Sequence, residues 1–302
     1  MVETVVQFEN CEICGKRNWV AIYQGRIRDG AVGRFKEGAL VAECKGCGVQ
    51  RLDESACIPD SFYESDEYRK TLQQSIESEK ALIEQDWTNR YTHDALLPQM
   101  VRGKVIADVG CGIGSFLDSC KGQAKLLIGI DPCKPYRTSL EARHKYFGTV
   151  EAAAAEFRGK VDLAVSIQVI EHVPKPVEFL RSIRPLLNEA SGGLLITTPN
   201  RNDILMKLLP QKFPEFFYRS AHRWYFDMKS LITCAQQAGY QVEGNRFLQK
   251  YGMANTMQWL RDGKPKGFAP LDGIGPTADG FWKGYLEETG SGDTLCLKLR
   301  AI

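Results

Sequence analysis

Three groups of residues have the types and spacing to do chemistry. The first is Val105-Ile-Ala-Asp108-Val-Gly110-Cys111-Gly112-Ile113-Gly114. Its apolar start predicts a buried strand. Glycines at alternate positions then remove β-carbons where the chain turns sharply and a ligand approaches the backbone. The helix expected next aims unpaired N–H groups at that ligand. The second group is a pair of knuckles, Cys11-Glu-Ile-Cys14-Gly15 and Cys44-Lys-Gly-Cys47-Gly48. Each sets two thiolates on one turn that the following glycine closes. Together Cys11, Cys14, Cys44 and Cys47 form a tetrahedral sulfur shell that suits structural Zn2+ and leaves no open coordination position. A redox dithiol pair or incidental thiols are the other readings. The third group is Glu171-His172, with His222 farther along. Histidine titrates near neutrality and suits a general base. His222 and His172 rank level for that role, with Glu171 behind them.

The glycine spacing separates two classes of ligand. Dinucleotide folds use G-x-G-x-x-G, whereas Ser115 stands here at the place of the third glycine. Asp108, two residues before the first glycine, is unfavourable beside a pyrophosphate and suits a ligand carrying positive charge. S-adenosylmethionine has an ammonium, a sulfonium and no phosphate. Downstream, Leu126-Leu-Ile-Gly-Ile130 predicts a second buried strand, and Asp131 follows at about the distance where nucleotide folds place a carboxylate on the ribose diol.

The glycine run resembles motif I of the class I S-adenosylmethionine-dependent methyltransferases. The apolar run from Val161, ending in Glu171-His172-Val173 with Pro174 and Pro176, resembles the motif after the fourth strand of ubiquinone-type O-methyltransferases and their sugar-modifying relatives. The resemblance covers roughly residues 100 to 245. It implies S-adenosylmethionine held by Asp108, Gly110, Cys111, Gly112, Gly114, Asp131, Thr149, Val150 and Gln168. The loop Gly148 to Glu151 would lie along the adenine, and His222 fits a His-aromatic pattern of the family. Relatives often carry a Glu three positions before the Glu-His pair that helps hold a divalent ion; Gln168 stands there, so no catalytic metal is assigned.

These residues need a scaffold. Strands alternating with helices predict an α/β fold, a doubly wound parallel sheet. The resemblance makes it a Rossmann-like sheet of seven strands with the last inserted antiparallel, beside a small N-terminal zinc-ribbon-like module. The expected divisions are 1–60 for that module, 61–99 for a helical linker covering the cofactor, and 100–302 for the methyltransferase domain with a substrate-covering insertion at about 248–290. Trp19–Tyr23 and Ala39–Ala42 read as strands bridging the knuckles. Tyr63, Tyr68, Arg90 and Tyr91 read as ordinary helix surface in the covering segment. Pro185 should kink or shorten the helix after Pro176. Asp227 should cap a helix that Gly239 stops. Asp293 to Arg300 alternates like a half-buried edge strand. Aromatics in Phe213–Tyr218, His222–Phe226 and Lys250–Gly290 suit either packing or the apolar face of a sugar or ring.

The chain of 302 residues carries a net charge of +2. That lacks the broad basic surface of a dedicated nucleic-acid binder. No leader-like segment and no apolar run of membrane-spanning length is evident, so ten cysteines are expected in a reducing, cytoplasmic setting. The leading expectation is methyl transfer to a small hydroxylated acceptor: a sugar, nucleotide sugar or glycan terminus of polysaccharide or secondary-metabolite biosynthesis. The substrate class comes from resemblance alone. An RNA methyltransferase with a zinc module, and a non-catalytic binding protein on the cofactor fold, are the alternatives. A nicotinamide oxidoreductase is disfavoured by the glycine spacing.

Overall fold

The structure is a computed structural model and describes residues 6, 8–65, 67, 70 and 100–302. Tyr68, Arg90, Tyr91 and most of the expected 61–99 cover lie outside them. The N-terminal part is β1 (Trp19–Arg28), β2 (Phe35–Cys44) and β3 (Gln50–Leu52). Alternation then begins: β4 (Val105–Val109), α1 (Ser115–Ser119), β5 (Leu126–Ile130), α2 (Arg137–Glu141), β6 (Lys145–Phe147), α3 (Val150–Phe157), β7 (Leu163–Ile167), α4 (Pro176–Ile183) and β8 (Gly193–Pro199). The rest is α5 (Ile204–Leu208), α6 (Phe213–Phe217), β9 (Trp224–Tyr225), α7 (Met228–Gln237), β10 (Tyr240–Leu248), α8 (Met253–Asp262), α9 (Pro276–Glu288) and β11 (Thr294–Ala301).

Seven strands form one sheet in the order β10-β11-β8-β7-β4-β5-β6. The pairs among β4 to β8 are parallel, and β11 runs antiparallel to both β8 and β10. The sheet buries side chains on both faces. Ala107, Val109, Ile128 and Ile196 pack with Ala153, Leu180 and Leu231 of α3, α4 and α7. Ile106, Val165 and Leu195 pack on the other face with Phe116, Leu117 and Leu140 of α1 and α2. Near-continuous apolar strands covered by helices on both faces are the signature of this α/β class.

Local signals act where expected. Pro185 follows the end of α4 in a single 3-10 turn. Asp227 and Ser230 form a capping box on α7, and Gly239 leaves its end at φ +83°. One expectation fails: β11 is not an edge strand. Leu295, Leu297 and Leu299 are fully buried, while Lys298 and Arg300 reach over the true edge, β10, to Glu243 and Gln241. An interior antiparallel strand with one solvated face alternates just as an edge strand does.

A second sheet has the order β1-β2-β3-β9. Its fourth strand comes from residues 224–225, far along the chain, with Gln50 opposite Tyr225 and Arg51 opposite Trp224. Arg201 fastens the same seam, meeting Glu43 at 2.8 Å and Asp227 at 2.6 Å. The N-terminal part therefore shares its sheet, and through Trp19, Cys44 and Trp224 its core, with the larger domain.

Candidate active site

A cleft of about 740 Å³ opens at the carboxyl ends of β4, β5, β6 and β7, the edge where ligands bind in open α/β sheets. One end is main chain. Gly110 sits at φ +82°, and a β-carbon there would stand 2.4 Å from Val169 Cγ2. Gly114 sits at φ +85°, with Leu140 Cδ2 2.8 Å from the same construction. Only glycine meets both demands. Asp131 ties the loop to the next strand: its Oδ2 accepts from Gly112 N at 2.7 Å and its Oδ1 from Cys133 N at 2.9 Å. Thr149 caps α3, accepting from Ala152 N at 3.2 Å.

Of the residues expected to hold a cofactor, Gly110, Gly112, Asp131, Thr149, Val150 and Gln168 line the cleft. Asp108, Cys111 and Gly114 do not. Asp108 is 1% exposed, and Cys111 turns its sulfur beneath the loop towards Gly129. Gln168 is the single non-glycine residue with positive φ among those described, at +57°. Its N–H donates to Thr197 O at 3.0 Å. Strained backbone of this kind concentrates where function constrains a side chain.

The other end is made of side chains. The turn after β7 carries Glu171 and His172, and Pro176 opens α4 four residues later. The segment 219–226 then crosses over and is stitched down: Arg223 N and Trp224 N donate to Glu171 O at 2.8 and 3.2 Å, and the Trp224 indole donates to Val173 O at 3.0 Å. This brings His222 against His172, ring centroids 4.7 Å apart and nearly perpendicular. Glu171, His172 and His222 each offer one ligand atom, all within 4.8 Å of one another.

The hydrogen bonds fix one tautomer. Ala221 O, which can only accept, lies 2.7 Å from His172 Nδ1, so that nitrogen carries the proton. Tyr63 donates to the same carbonyl at 3.0 Å. His172 Nε2 therefore presents a lone pair, 3.8 Å from Glu171 Oε1. Glu171 Oε2 accepts from Thr198 at 2.9 Å. Among the described residues, Glu171 Oε1 and His222 Nδ1 have no hydrogen-bond partner. Burial dominates all three groups. It pushes the Glu171 carboxyl up to about 7, against opposing hydrogen bonds and the charge of Arg219. It holds His172 down to about 3, with Arg219 adding to the effect. It also holds His222 well below the usual imidazole value, helped by Arg219 and His172.

The expected covers fare differently. Arg219 and His222 line the cleft, but no residue of 248–290 does among those described. Trp259 of α8 packs edge-on against Phe213 and Phe216 instead, at 5.2 and 5.0 Å. Those aromatics anchor a helix pair and form no lid. The wall comes from Gly30, Ala31 and Val32 at the tip of the β1–β2 hairpin and from Tyr63. Sequence reasoning missed the hairpin tip, Arg28, Arg219 and Thr198. Thr198 had a signal, since two threonines stand in the buried strand β8.

The base of that hairpin holds the cysteines. Cys11, Cys14, Cys44 and Cys47 bring their sulfurs within 4.8 Å of one another, with Cys11 to Cys47 at 3.7 Å and Cys14 to Cys44 at 3.5 Å. A tetrahedral shell with Zn–S bonds of about 2.3 Å spaces its sulfurs about 3.8 Å apart. The knuckles match: Gly15 N donates to Cys11 O and Gly48 N to Cys44 O, both at 2.7 Å.

A family profile described as a methyltransferase domain matches residues 85–244, more than half of the 302 residues. The chain belongs to this methyltransferase-domain family. Among curated relatives, this methyltransferase-domain protein is 36% identical over 110 residues to a ubiquinone biosynthesis O-methyltransferase of Vibrio campbellii, covering 34% of this chain and 46% of that one. It is 28% identical over 149 residues to the enzyme of the same name from Escherichia coli, covering 47% and 61%. It thus spans about half the length of the curated relatives it matches. A crystal structure of an S-adenosylmethionine-dependent methyltransferase from Archaeoglobus fulgidus superposes with a TM-score of 0.50 at 15% identity, covering 77% of this chain and 98% of that one. The fold is that of the class I S-adenosylmethionine-dependent methyltransferases. Among the described residues no helix is long and apolar enough to cross a membrane.

Proposed function

We propose that the protein transfers the methyl group of S-adenosylmethionine to a hydroxyl of a small acceptor, most plainly a sugar, nucleotide sugar or glycan terminus. One observation carries the reading: a single cleft joins the glycine loop and Asp131 at one end to the buried Glu171, His172 and His222 at the other. Gly110, Gly112, Asp131, Thr149, Val150 and Gln168 hold the cofactor, Asp131 through the ribose hydroxyls and Thr149 and Val150 beside the adenine. S-adenosylmethionine supplies a methyl on a positively charged sulfur with a good leaving group.

The chain then has two tasks, to orient the acceptor and to take its proton. Glu171 is the group of the three matched to neutral pH, because burial lifts its carboxyl to about 7. Its free Oε1 receives the proton. His172, its tautomer fixed by Ala221 O, and His222 set the geometry around that oxygen. The four cysteines hold a structural zinc that keeps the β1–β2 hairpin over the acceptor. The domain division follows: 1–60 as the zinc-ribbon-like module, and 100–302 as the transferase.

The test is transfer of labelled methyl from S-adenosylmethionine to a panel of sugars, nucleotide sugars, glycan ends and a ubiquinone precursor, with wild type, Glu171→Gln, His172→Ala and His222→Ala. The expected result is a sugar-class acceptor, unchanged cofactor affinity, and at least ~100-fold slower turnover in Glu171→Gln. Preference for the ubiquinone precursor would overturn the acceptor class. Full activity in all three variants would remove this cluster from the chemistry.

A further inference from the structure

The acceptor end of the cleft holds one cation with no counter-ion from the protein. Arg219 opens the crossing segment after α6 and lines the cleft together with Glu171, His172 and His222. Its main chain is fixed. The N–H donates to the Tyr225 hydroxyl at 2.9 Å, and the carbonyl accepts from that hydroxyl at 3.1 Å and from His222 N at 3.0 Å. A parallel bridge to Arg28 secures it from the hairpin side. Arg28 itself lies over the Phe216 ring, 4.2 Å from the centroid, and is committed there. The charge of Arg219 is felt at the cluster: it favours the ionised form of Glu171 and the neutral forms of His172 and His222. Screening limits such effects to roughly 10 Å at 0.1 M salt, so the guanidinium belongs to this end of the cleft.

The surrounding carboxylates serve other partners. Glu54 and Asp60 meet Arg223 at 2.8 and 3.1 Å. Glu64 meets Lys134 at 3.1 Å, and Glu215 meets Arg26 at 2.6 Å. Asp29 accepts from the Ser220 hydroxyl. Among the described residues the Arg219 side chain has neither an ion pair nor a hydrogen bond within the protein. A fixed cation inside a cleft, without a protein counter-ion, is a site for an anionic ligand. One guanidinium offers two parallel N–H bonds, which match the two oxygens of a carboxylate. Charge balance points the same way. A carboxylate brings one negative charge and neutralises Arg219. A phosphate monoester brings closer to two, and the surplus would face Glu171, whose own carboxylate has to form nearby.

We propose that Arg219 is the carboxylate-binding residue of the acceptor end, so that the methyl acceptor is a hydroxylated acid, within the sugar class a uronate. The proposal rests on the methyl-transfer reading for the word acceptor, and carboxylate binding itself is decided separately. Arg219 touches the acid group and orients the acceptor; the hydroxyl to be methylated is left to Glu171. The N-terminal module has an indirect part, since its first strand secures the main chain of Arg219 through the bridge at Arg28.

The experiment is calorimetric titration of glucuronate and galacturonate into the full chain, with and without S-adenosylhomocysteine, for wild type and Arg219→Gln. Glucuronamide, which keeps the shape and loses the charge, and glucose 6-phosphate are titrated alongside. Saturable binding of at least one uronate to wild type is expected, weakened at least ~tenfold in Arg219→Gln and for glucuronamide. Affinity for S-adenosylhomocysteine should stay within about twofold of wild type, which also reports an intact fold. Arg219→Lys keeps the charge and loses the fork, and should fall between wild type and Arg219→Gln; it carries the test should the glutamine variant fail to fold. Absence of binding by both uronates, equal binding of glucuronamide, or undiminished uronate binding in the variants would overturn the proposal. Equal or tighter binding of glucose 6-phosphate would overturn the carboxylate as the group recognised. Failure of S-adenosylhomocysteine to bind wild type would instead sink the methyl-transfer reading, leaving the role of Arg219 to the uronate result.

Discussion

At the glycine-loop end the cleft is built of main chain; at the Glu171 end it is built of side chains delivered from distant segments. The first end needs one continuous stretch, Asp108 to Gly114, and a single carboxylate, Asp131, that grips it through Gly112 N. The second needs Tyr63, Glu171 with His172, Arg219 with His222, and the hairpin tip at 30–32 to arrive together. A main-chain site is set by local geometry and accepts no side chain. A side-chain site is set by tertiary contacts and can exchange its members. The fixed end suits a ligand common to a whole family, and the assembled end suits a ligand that differs between its members.

The sharpest way to break this contrast is Gly110→Ala. The residue sits at φ +82°, and the new methyl would meet Val169 Cγ2 at 2.4 Å. Strain of this kind costs about 1–3 kcal/mol before the clash is counted. Affinity for S-adenosylmethionine, read by calorimetry, should fall at least ~100-fold. Wild-type affinity in this variant would mean that the loop is not the ligand's seat.

Next comes the cysteine cluster. Metal analysis should find about one zinc per chain. Cys44→Ser should lower the melting temperature by ~10 °C or more, because a structural zinc contributes directly to folding. The more informative result concerns which ligand suffers. The cluster holds the base of the hairpin whose tip, Gly30, Ala31 and Val32, walls the cleft. Acceptor KM should rise in Cys44→Ser while cofactor affinity holds. Equal loss of both would show that the two ends are not separable.

The same contrast explains what was legible in the sequence. Asp108 to Gly114, Asp131, the two knuckles and Glu171-His172 each announce themselves within a few residues, because local turn geometry or metal spacing dictates them. The doubly wound sheet followed from alternation, and its seven strands with the last antiparallel from family resemblance. Arg28 and Arg219 were invisible, since only a long-range bridge pairs their main chains. The aromatics of 248–290 misled for the opposite reason: a Trp in a Gly-rich segment reads alike as lid or as packing anchor, and only its neighbours Phe213 and Phe216 decide. The strand β11 misled because alternation reports one solvated face and says nothing about which neighbours a strand has.

Glu171→Gln sharpens the contrast by moving activity and stability in opposite directions. Burial raises the Glu171 carboxyl from its ordinary 4.5 to about 7. The stability attached to its protonated form is present below pH 4.5 and is lost as pH rises towards about 7. A buried glutamine has no charge to desolvate and can still accept from Thr198. At pH 8 the variant should melt higher than wild type, by roughly 1–2 kcal/mol of stability, while turnover falls. Wild-type turnover should itself rise with pH through about 7 as the base form appears. Lower stability at pH 8 would show that the charged carboxylate is held by partners stronger than those seen.

The smallest effect tests how the side-chain end is held. Tyr63→Phe removes a hydroxyl that donates to Ala221 O at 3.0 Å and lies 2.9 Å from His172 Nδ1. Each hydrogen bond of this kind contributes about 0.5–1.5 kcal/mol, so cofactor affinity should be untouched and turnover should fall only several-fold. The acid side of the stability profile gives the second readout. Burial holds neutral His172 far below its ordinary 6.5, so its stabilising neutral form is complete above pH 6.5 and lost as pH falls towards about 3, at about 1.4 kcal/mol per pH unit. Tyr63 sits edge-on to that ring at 5.4 Å. Its loss as a hydroxyl should let water approach Ala221 O and raise the His172 pKa, moving the midpoint of acid unfolding to lower pH even as the neutral protein becomes slightly less stable. A variant that unfolds at higher pH than wild type would mean that Tyr63 secures the whole crossing segment and not the protonation state of one imidazole.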